Sequence, residues 1–273
     1  MTDVVPTPPM GLKLKLRRAR KHLRFVRRSL ERWVATDPVS YRREINEEGT
    51  HYLYRMIIQP GPESVELVAD EAIHHLRSIL DHLVTALIEA RGLPSSGRRF
   101  PIFDKEPRTA KEQRSFNDCI DGLSALARDL VVSLQPYKRG DDAHTHPLWI
   151  LNRLDNRLKH TTLHLLSFTI SAPELPGVVK HLPGTVGRSG DVFATVPIHL
   201  NVKEDFEPFV SVHVGFRETR IGIRGVGLDT LDEIYEFIRD EVLRKTITTG
   251  PWPRRLIPPG AVYVRMSPPQ RIV

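Results

Sequence analysis

Between Leu12 and Trp33 the apolar positions are Leu12, Leu16, Ala19, Leu23, Val26, Leu30 and Trp33, separated by alternating steps of four and three residues. That spacing predicts a helix over about 12–34 with one apolar seam, laid against another helix of the chain or against a second copy of itself. The period then changes. Val39 to Ile45 and His51 to Ile58 flank a Glu47-Glu48-Gly49 turn and read as a β-hairpin, ended by Gln59-Pro60-Gly61-Pro62. A second helix is predicted from Ser64 to Ala90, with Ile73, Leu76, Leu80, Leu83 and Leu87 as its buried stripe and Arg91-Gly92-Leu93-Pro94 as its stop. A third covers 111–134. A polar loop then leads to a helix opening with Pro147, where a missing N–H costs nothing, and carrying Trp149, Leu151, Leu154 and Leu158.

Beyond residue 160 the apolar period falls to two. Val192, Ala194, Val196, Ile198 and Leu200 alternate with other residues, as do Val210, Val212, Val214 and Phe216, which is the pattern of antiparallel strands with one wet face. Leu165 to Ile170 and Ile221 to Ile223 read as further strands. A closing helix is predicted from Thr230, with Glu233 completing a capping box and Leu231, Ile234, Ile238 and Val242 turned inward. The fold class expected is α+β: a helical bundle packed on an antiparallel β-sheet, the early hairpin a candidate member of that sheet and the C-terminal helix its cover. Along the chain this gives a disordered tail at 1–9, a mainly helical part at 10–160, a β-rich part with the closing helix at 161–249, and a Pro-rich tail at 250–273.

Composition narrows the class of protein. With 273 residues, 40% hydrophobic and 27% charged, a sizeable core is within reach without disulfides. Cys119 is the one cysteine, so neither a disulfide framework nor a multi-cysteine zinc site is available, and a cytoplasmic setting is expected. Apolar runs fall short of the ~18 residues that cross a bilayer, so no membrane partner is expected. The net charge of +7 is unevenly spread: Lys13 to Arg32 hold ten Lys or Arg against one acid, Glu31. Such a face is a solvated helix surface, a contact for nucleic acid, or a contact for another acidic surface.

Gly-rich phosphate loops, nucleophile elbows and zinc-protease motifs are all missing. What remains is a polar cluster on two apolar helices. Asp70, His74, Arg77 and Asp81 stand at steps of four, three and four, beside a stripe of His74, Ser78 and His82. On the later helix Asn152, Asn156 and Lys159 line up next to Arg153, Arg157 and His160. If the two helices are neighbours, His74, Asp81, Asn156, Lys159 and His160 form a candidate binding site for a nucleotide or nucleic acid; a purely structural polar network is the alternative. Glu71-x-x-His74 has the spacing of one half of a helical dimetal site, but no second half exists, so neither metal nor cofactor is expected.

The segments Leu76-Arg77-Ser78-Ile79-Leu80-Asp81-His82, Phe100-Pro101-Ile102-Phe103, Gln135-Pro136-Tyr137, Leu148-Trp149 and Asn156-x-x-Lys159-His160 resemble those of a group of bacterial proteins without an assigned activity. The likeness spans roughly residues 70–160 and implies architecture more than function. A weaker resemblance is to HEPN-type helical domains, many of them metal-independent ribonucleases with an Arg four to six residues before a His. Arg77 and His82 match that spacing, as do Arg17 with His22 and Arg139 with His144, but only the middle pair lies in the polar stripe of a long apolar helix. The resemblance implies His82 as proton-transfer group at a ribose hydroxyl and Arg77 as phosphate clamp, duplicated across a homodimer.

Overall fold

The apolar seam of the first helix, α1 (Met10–Val34), is buried as a unit: Leu12, Ala19, Leu23, Val26, Leu30 and Trp33 are all inside. It packs mainly on α2 (Ser64–Glu89) and also on the closing helix, α6 (Leu228–Phe237), so no second copy is needed to cover it and a homodimer through this seam loses its motive. These elements belong to a computed structural model that describes residues 10–158, 169–171, 179–180, 189–200, 209–211, 215–216 and 226–246. The N-terminal and Pro-rich tails, the Ile221 to Ile223 strand, Val212 and Val214 lie outside the described residues.

Helix α2 is the hub. Ile73, Leu76, Ile79 and Leu80 are fully enclosed, each worth about 1.5–3 kcal/mol of burial. The helix predicted over 111–134 is two helices, α3 (Ala110–Ile120) and α4 (Ala125–Ser133). Gly122 separates them at φ 90°, and a Cβ there would stand 3.1 Å from Ile88 Cγ2 of α2, so both the turn and the close approach require glycine. Each new start is capped: Thr109 and Glu112 form a capping box on α3, and Ser124 Oγ accepts the Ala127 N–H on α4. The expected polar loop at 136–145 is wound into 3₁₀ turns kinked at Gly140. Helix α5 (Pro147–Leu158) follows, its first turn capped by His146, whose Nδ1 accepts the Leu148 N–H at 3.1 Å.

The hairpin β1 (Val39–Ile45) and β2 (His51–Ile58) keeps the bounds read from the sequence and belongs to the sheet. Four further short strands form two pairs: β3 (Thr169–Ser171) with β6 (Phe209–Ser211), and β7 (Gly215–Phe216) with β8 (Val226–Gly227). The main sheet is antiparallel in the order β1-β2-β5-β4, with β4 at Val179–Lys180 and β5 at Val192–Pro197. A register shift between Tyr54 and Arg55 inserts Phe193 as an extra residue, so Phe193 and Ala194 are both buried where strict alternation would have hidden one. The strand stops at Pro197, and Ile198–Leu200 form a 3₁₀ turn instead of continuing it.

The closing helix begins at Leu228 with Gly227 in the capping position and no side-chain cap, so the expected capping box at Thr230 is not used. It continues through a π-helical stretch, Ile238–Arg244. Its main packing partners are α1 and α5, so it covers the bundle where the sequence reading had it covering the sheet. Its apolar residues Leu231, Ile234, Ile238 and Val242 join one core with α1, α2 and α5. The buried sheet residues Tyr54, Met56, Phe193 and Val196 lie outside that core. The architecture is α+β.

Candidate functional site

The polar arc of α2 is divided among three neighbours. On one flank, Arg77 Nη1 donates to Asp81 Oδ1 at 2.8 Å and Nη2 to the Phe100 carbonyl at 3.0 Å, while the Phe100 N–H donates back to Asp81 Oδ1 at 2.9 Å. This closed circuit fastens the Phe100-Pro101-Ile102-Phe103 segment to the helix. Gln135, fully buried, holds the same segment from the other side: Nε2 donates to the Pro101 carbonyl at 2.9 Å, and Oε1 accepts the Phe103 N–H at 3.1 Å. The Arg77 side chain is only 12% exposed. Its two terminal nitrogens are therefore committed to the protein, and His82, five residues on, points about 140° away around the helix.

On the other flank two bridges tie α2 to α1. Lys15 Nζ donates to Ser78 Oγ and lies 3.3 Å from His82 Nε2. One turn and more along, Arg18 Nε donates to His22 Nε2 at 2.9 Å, which leaves the proton of a neutral His22 on Nδ1, 3.4 Å from Glu71 Oε2. His22 also stacks on His75, with ring centroids 5.5 Å apart. Burial lowers the basicity of both imidazoles and of Lys15, against the pull of Glu71 on His22 and of Asp81 on Lys15. Between the flanks, His74 Nδ1 stands 3.6 Å from the buried Asp155 of α5, so α2 and α5 are neighbours as a site shared by both requires.

Asp70, in line with Arg77, has no counter-ion among the described residues. Its Oδ1 is buried without a hydrogen-bond partner among those residues, and burial followed by the nearby Glu66 charge pushes its pKa up to about 7. Asn156 is exposed at the end of α5, and Lys159 and His160 lie outside the described residues. Among the described residues, no group of three or more His, Cys, Asp or Glu could hold a metal ion, and no helix is long and apolar enough to cross a membrane.

The cations of α1 sort by direction. Arg20 pairs with Asp232 at 3.0 Å, and Arg27 with Asp232 at 2.7 Å and Asp229 at 2.9 Å, all on α6. Arg20 also covers the Tyr235 ring, 4.8 Å from its centroid. Lys15 and Arg18 serve the bridges to α2. Lys13, Arg17, Lys21, Arg24 and Arg28 are exposed and make no ion pair among the described residues. At steps of four, four, three and four they form a continuous stripe about 22 Å long on the side away from the seam.

Sequence reading missed Lys15 and His22 as partners of the α2 cluster. The signal was present: Lys15, His22 and Ser29 are seven residues apart and each precedes a seam leucine, which sets them on the shoulder facing α2. The chain matches no family model, no curated protein and no solved structure.

Proposed function

We propose that this chain is a non-enzymatic binding protein for nucleic acid, with the outer stripe of α1 as its phosphate-binding surface. One observation carries the reading: the acids of α6 neutralise only the inner cations, Arg20 and Arg27, while Lys13, Arg17, Lys21, Arg24 and Arg28 stand exposed in a row with no ion pair among the described residues. A helix that needed charge only to stay in place would be served by the inner pairs. Five like charges along one rod repel one another, and a polyanion relieves that repulsion while releasing counterions. The cytoplasm, expected from the lone cysteine, is the compartment in which the reading places it.

A membrane surface fits this face less well. An interfacial helix lays a broad apolar face into lipid, but here the broad apolar face is buried against α2. The test is fluorescence anisotropy with a labelled oligonucleotide across a salt series. Five phosphate contacts give a log–log slope of about −3.5 on a single strand and about −4.5 on duplex DNA, and replacing Arg17 and Arg24 by Gln takes away about two-fifths of it. Affinity that does not change with salt, or a slope unmoved by the double variant, refutes the reading.

A second reading is a phosphate site for a free nucleotide on the adjoining arc, favoured by the convergence of Lys15, Ser78 and His82. Isothermal titration with a nucleoside triphosphate tests it. Heat that survives Lys15→Gln together with His82→Gln speaks against it.

A further inference from the structure

The outer face of α1 holds two exposed apolar side chains, Leu14 at 50% and Phe25 at 41%. They are eleven residues apart, which on an α-helix is about 16 Å along the axis and within about 20° of the same direction. Neither is isolated. Lys21, Arg24 and Arg28, at i−4, i−1 and i+3, surround Phe25, and Arg17 and Arg18, at i+3 and i+4, stand beside Leu14; all five cations are exposed. The seam that holds the helix in the bundle is on the opposite side, so these two residues contribute nothing to the core.

We infer that α1 binds single-stranded nucleic acid, with the Phe25 ring stacking on an unpaired base while the stripe cations hold the flanking phosphates; this rests on the proposed nucleic-acid reading. A duplex keeps its base faces inside the stack and offers a helix surface only phosphates, sugars and groove edges, against which an aromatic ring ringed by cations has no use. A single strand offers both things this face is built for: a charged backbone for Lys21, Arg24 and Arg28, and a π-face for Phe25. Leu14, three turns away, gives a second apolar rest for the strand. Because stacking accepts any base, the expected preference is for strandedness and not for sequence.

The experiment compares single-stranded RNA and DNA oligonucleotides with a duplex of equal length, using wild type, Phe25→Ala and Phe25→Tyr, with thermal melts to confirm that each is folded. Wild type should prefer single strands. Phe25→Ala should weaken that binding about 5- to 150-fold, the equivalent of one stacked base, without changing the salt slope or the duplex affinity, and Phe25→Tyr should restore it. Duplex bound as well as single strand, or Phe25→Ala binding single strands within twofold of wild type, overturns this inference and leaves the phosphate reading standing. Binding to anionic lipid vesicles that depends on Leu14 and Phe25, with no binding to any nucleic acid, overturns both.

Discussion

Replacing His146 by Asn keeps an acceptor for the Leu148 N–H at the start of α5 but removes an imidazole whose pKa is pushed down to about 4 by burial and by the Arg139 charge. In the unfolded chain the same ring takes its proton near 6.5. Between those values the unfolded state binds one more proton than the folded state, so stability is complete above about pH 6.5 and falls as the pH drops. At about 1.4 kcal/mol per pH unit the loss is about 3 kcal/mol by pH 4. Asp70 runs the other way. Its folded pKa, pushed up to about 7, means that the folded state holds the extra proton between about 4 and 7, so its burial costs nothing in acid and the penalty grows as pH rises. The full shift corresponds to about 4 kcal/mol, and about 2 after allowance for solvent at a half-buried site.

The two slopes oppose each other, so each variant should differ from wild type by an amount that changes with pH: the difference grows more positive for His146→Asn and less positive for Asp70→Asn as the pH falls from 7 to 4. The assay is urea unfolding followed by circular dichroism at fixed ionic strength across that range. Relative to wild type, His146→Asn should move from about −1 kcal/mol at pH 7, for the lost contact with Phe237, to about +2 at pH 4. Asp70→Asn should move from about +2 to near zero over the same interval. His22 and His75 have the sign of His146, but they are present in all three proteins and drop out of the differences. Two differences that stay constant with pH would refute the reasoning.

Arg77→Ala strands the Asp81 carboxylate and the Phe100 carbonyl and should cost about 2–4 kcal/mol in a chemical melt; unchanged stability would mean that the Phe100 segment is held by Gln135 alone. Gly122→Ala combines positive φ with a 3.1 Å approach to Ile88 and should lose about 1–3 kcal/mol, partly recovered by Ile88→Val. Asp232→Asn releases Arg20 and leaves Arg27 only its more exposed partner Asp229: stability should fall by about 0.5–1 kcal/mol while the salt slope of oligonucleotide binding steepens.

The parts of the fold legible in the sequence are those in which local pattern and packing agree. The four-three seam of α1 and the hairpin around Gly49 were readable because each apolar step repeats the period of its element. The break at Gly122 was not, because Phe116, Cys119, Leu123, Ala127 and Val131 keep a helical spacing straight through it, and only the proximity of Ile88 makes the glycine compulsory. Thr230 and Glu233 have the capping-box spacing, yet β8 delivers the chain at Gly227 and the helix starts two residues before Thr230. The polar stripe of α2 was found by its spacing. Its division among the Phe100 segment, α1 and α5 depends on residues 19 to 81 positions away, and periodicity carries no information on those pairings.

Strand β2 pairs on one side with its hairpin partner and on the other with a strand made much later, Tyr54 lying opposite Ala194. The helices α2 to α5 are thus an insertion between two neighbours in one sheet. A ribosome adding ~5–20 residues per second needs about 7 to 28 s to travel from one to the other. Through that interval the nascent chain carries β2 with an open edge and with Tyr54 and Met56 uncovered, an invitation to pair with another chain. Of the charges in the hairpin, Arg55 is on the waiting strand itself, held by Glu44 of β1, and a charge there works against capture of that edge before β5 emerges.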